Sequence, residues 1–287
     1  MAEVLLSPLV DFLFKRIFGD EKNTDLLINF LNGVFEDTGE PLVESVEILN
    51  PFLDKDAMTD KMSVLDIRAR TETHTLVNIE VQIRNLGDMR ERSLYYWAKL
   101  YERQLDEGDE YRQLRKAIAI NILNFVEIEN GHYHNVFRLR GDDGRLLTDH
   151  LEIHFLELPK LRHSAADAER RLVRWLLFLS ARTRDQMEQL AKGDRVMEKA
   201  MTALEFLSQD EQTRMLYEAR QKALHDYASA MHNAEDKGRR EGMQEGMREG
   251  MREVAIKLVR KGASVSEVEE LTGLSGPEVE EIRRSLD

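Results

Sequence analysis

The sequence predicts an α/β chain whose C-terminal part is purely α-helical. Stretches that alternate apolar and polar residues, as half-buried strands do, recur between residues 42 and 158, among stretches of helical periodicity. Beyond about residue 165 only helical patterns remain. We therefore expect residues 1-160 to form an α/β core and residues 161-235 a helical region that packs on it. Residues 236-287 should form a glycine-repeat helix and a small helical module.

Composition narrows the possible functions. The chain has 287 residues, of which 42% are hydrophobic, and it has no cysteine, which excludes disulfides, thiolate zinc sites and cysteine nucleophiles. A formal net charge of -13 argues against broad nucleic-acid binding, so a DNA site must be locally basic. No stretch approaches the roughly 20 apolar residues that span a bilayer. The N-terminus lacks the basic region of a signal peptide, and we expect a cytoplasmic protein that does not associate with membranes.

Two neighbouring strands carry the most informative pattern. The segments from Val64 to Arg70 and from Leu76 to Arg84 both alternate, and a short polar stretch joins them, which predicts a hairpin. If the hairpin folds about Thr73, Asp66 and Glu80 face each other with Cβ atoms roughly 4.5–5.5 Å apart. The apolar face, expected in the core, collects Leu65, Ile67, Ala69, Val77, Ile79, Val81 and Ile83. The polar face, expected in solvent, collects Asp66, Arg68, Arg70, Asn78, Glu80, Gln82 and Arg84.

The facing carboxylates of Asp66 and Glu80 repel each other and need a compensating charge. A divalent cation is the usual one, because Mg²⁺ prefers oxygen ligands at about 2.0–2.1 Å and often takes only one or two carboxylates with water and phosphate oxygens. The alternative is an amphipathic hairpin with a charged, solvated face. The hairpin pattern alone does not decide between them.

Two helices flank this hairpin in the sequence. The first starts at Ser7-Pro8 and ends at Gly19, and it carries Asp11 and Lys15 four residues apart, where they can pair. The second runs from about Met89 to Gln104. Its apolar stripe consists of Leu94, Trp97, Ala98, Tyr101 and Leu105, and another face carries Arg92, Tyr96, Lys99 and Arg103. Such a basic row suits contacts to a phosphate backbone, although a solvated helix face explains it as well.

Later strands bring histidines together in pairs. A continuous apolar run from Lys116 to Phe125 indicates a strand buried on both faces. Further strands at residues 132–140 and 151–158 place His132 with His134 and His150 with His154. Because strand spacing gives two separate pairs and the chain has no cysteine, we expect exposed histidines and no zinc site.

The C-terminal region contains the internal repeat. Gly238, Gly242, Gly246 and Gly250 recur every four residues beside Met243, Met247 and Met251. Each glycine costs about 1 kcal/mol of helix stability, so this helix needs a partner, and homo-oligomerisation through residues 238-251 is one possibility. A frayed charged linker is the other. The two short helices that follow look like a helix-turn-helix. The second presents glutamates where a DNA-recognition helix would present groups that bind base edges, which favours a packing module over a DNA-binding motif.

Several motifs together resemble a known family, the recombination-promoting nucleases or PD-(D/E)XK nuclease family transposases. The motifs are Asp11-Phe-Leu-Phe-Lys-Arg-Ile-Phe-Gly19, Asp66-Ile-Arg-Ala69, Asn78-Ile-Glu-Val-Gln82, Arg92-Ser-Leu-Tyr-Tyr-Trp-Ala-Lys-Leu-Tyr101, Gly108-Asp-Glu-Tyr111 and Glu157-Leu-Pro-Lys160. The resemblance covers nearly the whole chain. It implies a PD-(D/E)XK, restriction-endonuclease-like mixed sheet flanked by helices at residues 1-160, with the α-helical region following it.

The resemblance also implies a set of site residues. Asp66 and Glu80 take the positions of the metal ligands for Mg²⁺ or Mn²⁺, Gln82 takes the place of the usual lysine, and Asp11 and Lys15 support the site. A glutamine is neutral and only orients water, so activation falls to the metal. Positive charge near the phosphate would come from Lys15 or from Arg84, which joins Arg92, Tyr96, Lys99 and Arg103 as an expected DNA contact.

Two functions follow from these expectations. The first is a metal-dependent endonuclease that cuts double-stranded DNA, associated with recombination or transposition. The second is a weak or inactive nuclease-fold protein that acts as an interaction or oligomerisation module through its C-terminal helix. The feature that separates them is the opposition of Asp66 and Glu80, which a purely structural hairpin does not require.

Overall fold

The computed structural model of the chain describes residues 5–50, 66–161 and 169–286. Within these ranges the strands form one mixed six-stranded sheet in the order β1-β2-β3-β4-β6-β5. The strands are β1 (Val46–Ile48), β2 (Ile67–Thr71), β3 (Leu76–Gln82), β4 (Ala117–Leu123), β5 (His134–Phe137) and β6 (Leu151–Glu157). Strands β3, β4 and β6 are parallel, and the other neighbours are antiparallel. The expected α/β class with a mixed sheet is confirmed.

Helices flank this sheet and then take over the chain. In the described ranges they are α1 (Asp11–Phe18), α2 (Thr24–Thr38), α3 (Met89–Glu102), α4 (Arg171–Ser180), α5 (Arg184–Ala191), α6 (Arg195–Gln209), α7 (Glu211–Arg260), α8 (Val265–Thr272) and α9 (Gly276–Leu286). The start that the sequence suggested for α4, near Ala165, lies outside the described residues. None of the helices described is both long and apolar enough to cross a membrane. The chain divides into two compact units, Met1–Arg220 and Gln221–Asp287.

An aromatic cluster fixes α1 against the apolar face of the sheet. Phe14 and Phe18 stack with ring centroids 4.6 Å apart, and Phe18 meets the ring of Trp175 edge-on at 5.1 Å. Burying such rings stabilises the packing through both area and geometry. The same hydrophobic core contains Ile67 and Ile79 from the hairpin. Helix α1 also contacts β3, so it packs directly against the hairpin.

Helix α3 covers part of the polar side of the sheet. Met89 and Ser93 are buried, and Trp97 donates a hydrogen bond from Nε1 to the carbonyl of Ala117 at 2.8 Å. The predicted stripe is therefore partly wrong, because Leu94 and Ala98 are exposed. The helix instead turns its small residue Ser93 toward the sheet, and the hydroxyl of Ser93 bonds back to the carbonyl of Met89 at 2.7 Å.

The hairpin has the register that the sequence predicted. Ile67 pairs with Ile79 and Arg68 with Asn78, so the register extends to Asp66 and Glu80. Val64 and Leu65 lie outside the described residues. The expectation of a solvated polar face is wrong at its centre, since Asn78 is 8% exposed and Glu80 is 3% exposed.

Strand β4 is buried along its whole length, as the continuous apolar run indicated. Of the four histidines expected to be exposed, His132 is exposed, whereas His150 is half-buried and hydrogen-bonded to the hydroxyl of Tyr101. His134 on β5 and His154 on β6 are hydrogen-bonded to each other, from Nε2 to Nδ1 at 2.9 Å, and His154 is fully buried. The carboxylate of Asp37 supports the burial of His134, since it lies 2.6 Å from Nδ1 and a buried polar ring needs hydrogen-bond partners.

The second unit consists, in its described residues, of helices joined by short turns. The glycine repeat lies inside α7, which is continuous from Glu211 to Arg260, so the linker alternative is not what the structure shows. A small core of Ala255, Val268, Val279 and Ile282 holds the end of α7 to α8 and α9. Ser264 caps α8 in a reciprocal capping box with Glu267.

Candidate functional site

The site is built on the open end of the β2–β3 hairpin, where Asp66 precedes β2. Asn50 holds this residue in place: its side-chain amide donates to the Asp66 carbonyl at 3.1 Å, and its Oδ1 accepts from the Arg68 backbone at 2.6 Å. The Asp66 carboxylate lies 3.3 Å from Nε of Arg68. Asp66 is partly accessible, so its carboxylate is available to a ligand.

Glu80 is the buried partner of this pair. Arg92 of α3 donates to its Oε1 twice, from Nε at 3.2 Å and from Nη2 at 2.9 Å. Burial raises the pKa of Glu80, the charge and hydrogen bond of Arg92 oppose this rise, and the negative charges of Asp66 and Asp11 add to it. The carboxylates of Asp66 and Asp11 therefore lie close enough to Glu80 to raise its pKa.

Asp11 comes to this cluster from the first turn of α1. Its Oδ1 accepts from the backbone N–H of Phe12 at 2.9 Å, and Arg220 of α7 forms an ion pair with both of its carboxylate oxygens. Lys15, one turn further along α1, is 5% exposed. The sequence suggested Lys15 as the pairing residue of Asp11, and the structure adds Arg220, which lies 209 residues away in the chain.

Gln82 and Arg84 follow Glu80 at the end of β3. The amide of Gln82 donates from Nε2 to the carbonyl of Arg84 at 3.3 Å, which orients the side chain. Arg84 is partly buried, and its Nη1 has no hydrogen-bond partner among the described residues. A desolvated guanidinium of this kind is a strong candidate for pairing with a phosphate oxygen.

The predicted basic row lies along α3. Tyr96, Lys99 and Arg103 are exposed, and the guanidinium of Arg92 lies 5.4 Å from the centre of the Tyr96 ring. Lys99 lies over the neighbouring ring of Tyr95 at 4.7 Å. Arg92 differs from the rest of the row because it also contacts Glu80.

The donor atoms of the site fit a hard divalent cation. Asp66 and Glu80 offer carboxylate oxygens, which Mg²⁺ and Mn²⁺ prefer. In the structure Arg68 lies 3.3 Å from the carboxylate of Asp66, and Arg92 lies 2.9 Å from that of Glu80. No group of three or more histidine, aspartate or glutamate side chains is arranged for metal binding in the part of the chain that the structure describes. A cation held by Asp66 and Glu80 alone would need water and phosphate oxygens to complete its coordination.

Comparison with known protein families finds a match over most of the chain. Residues 8–234 match the family described as PD-(D/E)XK nuclease family transposase, which spans Asp11, the whole hairpin, α3 and Arg220. No curated protein and no solved structure matches the chain significantly.

Proposed function

Since the chain belongs to the PD-(D/E)XK nuclease family transposases, we propose that it is a metal-dependent endonuclease that hydrolyses phosphodiester bonds of double-stranded DNA. Its setting would be recombination or transposition in the cytoplasm. The observation that supports this most is the opposition of Asp66 and Glu80 across the hairpin, with the charge of Asp11 nearby.

Each residue of the site has a proposed role. Asp66 and Glu80 would hold a cation, Mg²⁺ or Mn²⁺, which would supply Lewis acidity by lowering the pKa of bound water and offsetting phosphate charge. Gln82 orients the attacking water through its amide but takes no proton, because it has no ionisable group. Asp11 acts as a positioning residue whose negative charge strengthens the site's preference for a cation. Lys15 and Arg84 supply positive charge near the phosphate.

DNA would lie along the exposed side of α3. Arg92, Lys99 and Arg103 offer cationic groups to phosphates, and Tyr96 offers a hydroxyl. Contacts of this kind position a duplex without reading its sequence. A local basic row also reconciles DNA binding with the overall charge of -13.

Nicking of a supercoiled plasmid tests this function. We expect nicking that requires Mg²⁺ or Mn²⁺, is abolished by a chelator, and is lost in Asp66→Ala and Glu80→Ala. Glu47→Ala is the matched control, because Glu47 is an exposed carboxylate of the adjacent strand β1, and it should nick as the unmodified chain does. Nicking that persists in both site variants would come from a contaminant and would overturn the assignment.

A second candidate function rests on the glycine repeat of α7. Side chains built at Gly242 and Gly246 would meet only open space among the described residues, and Met243 and Met247 beside them are 71% and 60% exposed. We propose that a second copy of the chain packs here, which fits an interaction module with or without catalysis. Light scattering should show a dimer that Gly242→Leu and Gly246→Leu dissociate. A monomer at all concentrations would exclude it.

A further inference from the structure

Arg92 takes part both in the ion pair with Glu80 and in the basic row of α3. Its guanidinium donates two hydrogen bonds to Oε1 of Glu80, and its side chain also stands in the basic row beside Tyr96. The Arg92 side chain is 19% exposed and that of Glu80 is 4% exposed, so the ion pair is shielded from solvent and close to the surface at the same time. Such a guanidinium can change partner by rotation of its own side chain.

A divalent cation and a guanidinium are alternative partners for Glu80. Both donors of Arg92 converge on a single oxygen, Oε1, and in a shielded site their positive charge repels a cation on the same carboxylate. The ring of Tyr96, 5.4 Å from the guanidinium, offers a surface for stacking once the pair is broken.

We propose that Arg92 is an exchangeable partner of Glu80: a bound divalent cation displaces it, and the released guanidinium contacts a DNA phosphate. The inference rests on the proposed function and adds a form of regulation to it. Cation binding and DNA binding become positively coupled through one side chain. Thermodynamic linkage requires the coupling to be reciprocal, and coupling of this kind typically amounts to roughly 5–150-fold in affinity.

The variant Arg92→Gln distinguishes an Arg92 that a cation displaces from Glu80 from an Arg92 that only orients Glu80. Mg²⁺ affinity is measured by calorimetry on the full chain without DNA. DNA affinity is measured by anisotropy on a labelled duplex with phosphorothioate linkages, which resist hydrolysis. We expect Arg92→Gln to bind Mg²⁺ more tightly, by roughly 5-fold or more, and to bind DNA more weakly. The increase of DNA affinity on adding Mg²⁺ should be smaller than in the unmodified chain.

Arg103→Gln is the matched control. Arg103 is an exposed member of the same row and caps the end of α3, away from Glu80. Its variant should lose DNA affinity while Mg²⁺ affinity and the coupling stay unchanged. If Arg92→Gln is poorly folded, Arg92→Lys replaces it, and a smaller increase in Mg²⁺ affinity is expected because lysine makes a single point contact.

The outcomes are distinguishable. Weaker or unchanged Mg²⁺ binding in Arg92→Gln would mean that Arg92 merely orients Glu80, and the exchange would be overturned while the nuclease assignment stands. An unmodified chain that binds no Mg²⁺ would remove the proposed function and the exchange together.

Discussion

Nη2 of Arg92 lies 2.9 Å from Oε1 of Glu80, so an arginine of α3 balances a carboxylate that β3 buries. The pair links the helix of the basic row to the strand of the candidate metal site. The positive charge of Arg92 also opposes the rise in the pKa of Glu80 that burial and two neighbouring carboxylates cause.

Removing Arg92 alone should destabilise the fold. In Arg92→Leu the buried carboxylate of Glu80 loses its counter-charge, and breaking a buried pair in this way costs on the order of 3 kcal/mol. The double variant Glu80→Gln/Arg92→Leu should recover most of this loss, because no buried charge remains. Urea unfolding of the four chains of this cycle measures the coupling. Additive effects would show that the two side chains act independently.

Glu157 should be important for the loop between β4 and β5, which contacts α3 through Glu127. Its Oε1 accepts from the backbone N–H groups of Glu127 and Ile128, at 2.6 and 3.0 Å, and its Oε2 accepts from Asn135 and Lys160. Glu127 in turn accepts a hydrogen bond from Arg90 of α3 at 2.7 Å. The fully buried carboxylate of Glu157 is thereby linked to α3.

Glu157→Ala leaves these donors without their acceptor, and we expect a loss of about 3 kcal/mol in unfolding free energy. Glu129→Ala, an exposed carboxylate of the same loop, should change stability by less than about 0.5 kcal/mol. Equal stabilities of the two variants in thermal or urea unfolding would contradict this role of Glu157.

The buried histidine pair should make the fold sensitive to acid. Burial lowers the pKa of His134 to about 4, opposed by the charge of Glu152 and assisted by Arg138. Burial also lowers the pKa of His154, helped by the charges of His134, Arg138 and Lys116. Asp37, which contacts His134 at 2.6 Å, is already paired with Arg170.

Thermodynamic linkage gives the direction of this pH dependence of stability. Both pKa values are depressed in the folded state, so the unfolded chain binds more protons, and stability is lost as pH falls from about 6.5 toward 4. His134 alone should cost about 2 kcal/mol between pH 7 and pH 5. His134→Gln should flatten this part of the stability profile measured by urea unfolding. An identical profile in the variant would contradict it.

Local patterns in the sequence predict much of this fold. The alternation of apolar residues set the hairpin register, because a shift by one residue would turn every side chain to the other face. Continuous hydrophobicity identified β4 as a central strand. These features depend on neighbours in sequence, which is why the sequence alone predicts them.

The remaining features depend on residues far apart in the chain. Arg220 meets Asp11 across 209 positions, and no periodicity in either segment indicates this contact. The strand patterns place His134 and His154 at the surface, whereas in the structure His134 bonds to Asp37 of α2, a contact that the strand patterns do not indicate. On α3, a hydrophobic pattern could not show that Ser93 and not Leu94 faces the sheet.

Gln82 should contribute modestly to catalysis. Its amide is oriented by the carbonyl of Arg84 and offers one hydrogen bond to the attacking water. Losing one hydrogen bond of about 1.4 kcal/mol in Gln82→Ala corresponds to roughly tenfold slower nicking. The affinity for the cation should be unchanged, since the amide is not one of its ligands. Complete loss of nicking with normal cation binding would give Gln82 a larger role than orientation.

The nuclease assignment requires Asp66 and Glu80 to share one divalent cation. Titration of the full chain with Mn²⁺, followed by electron paramagnetic resonance of the free ion, measures this binding. We expect a single tight site per chain that weakens by at least roughly tenfold in Asp66→Asn and in Glu80→Gln, since even residues that only support metal ligands are worth that much. Glu47→Gln should retain the site. Mn²⁺ affinity in Asp66→Asn equal to that of the unmodified chain would contradict this assignment.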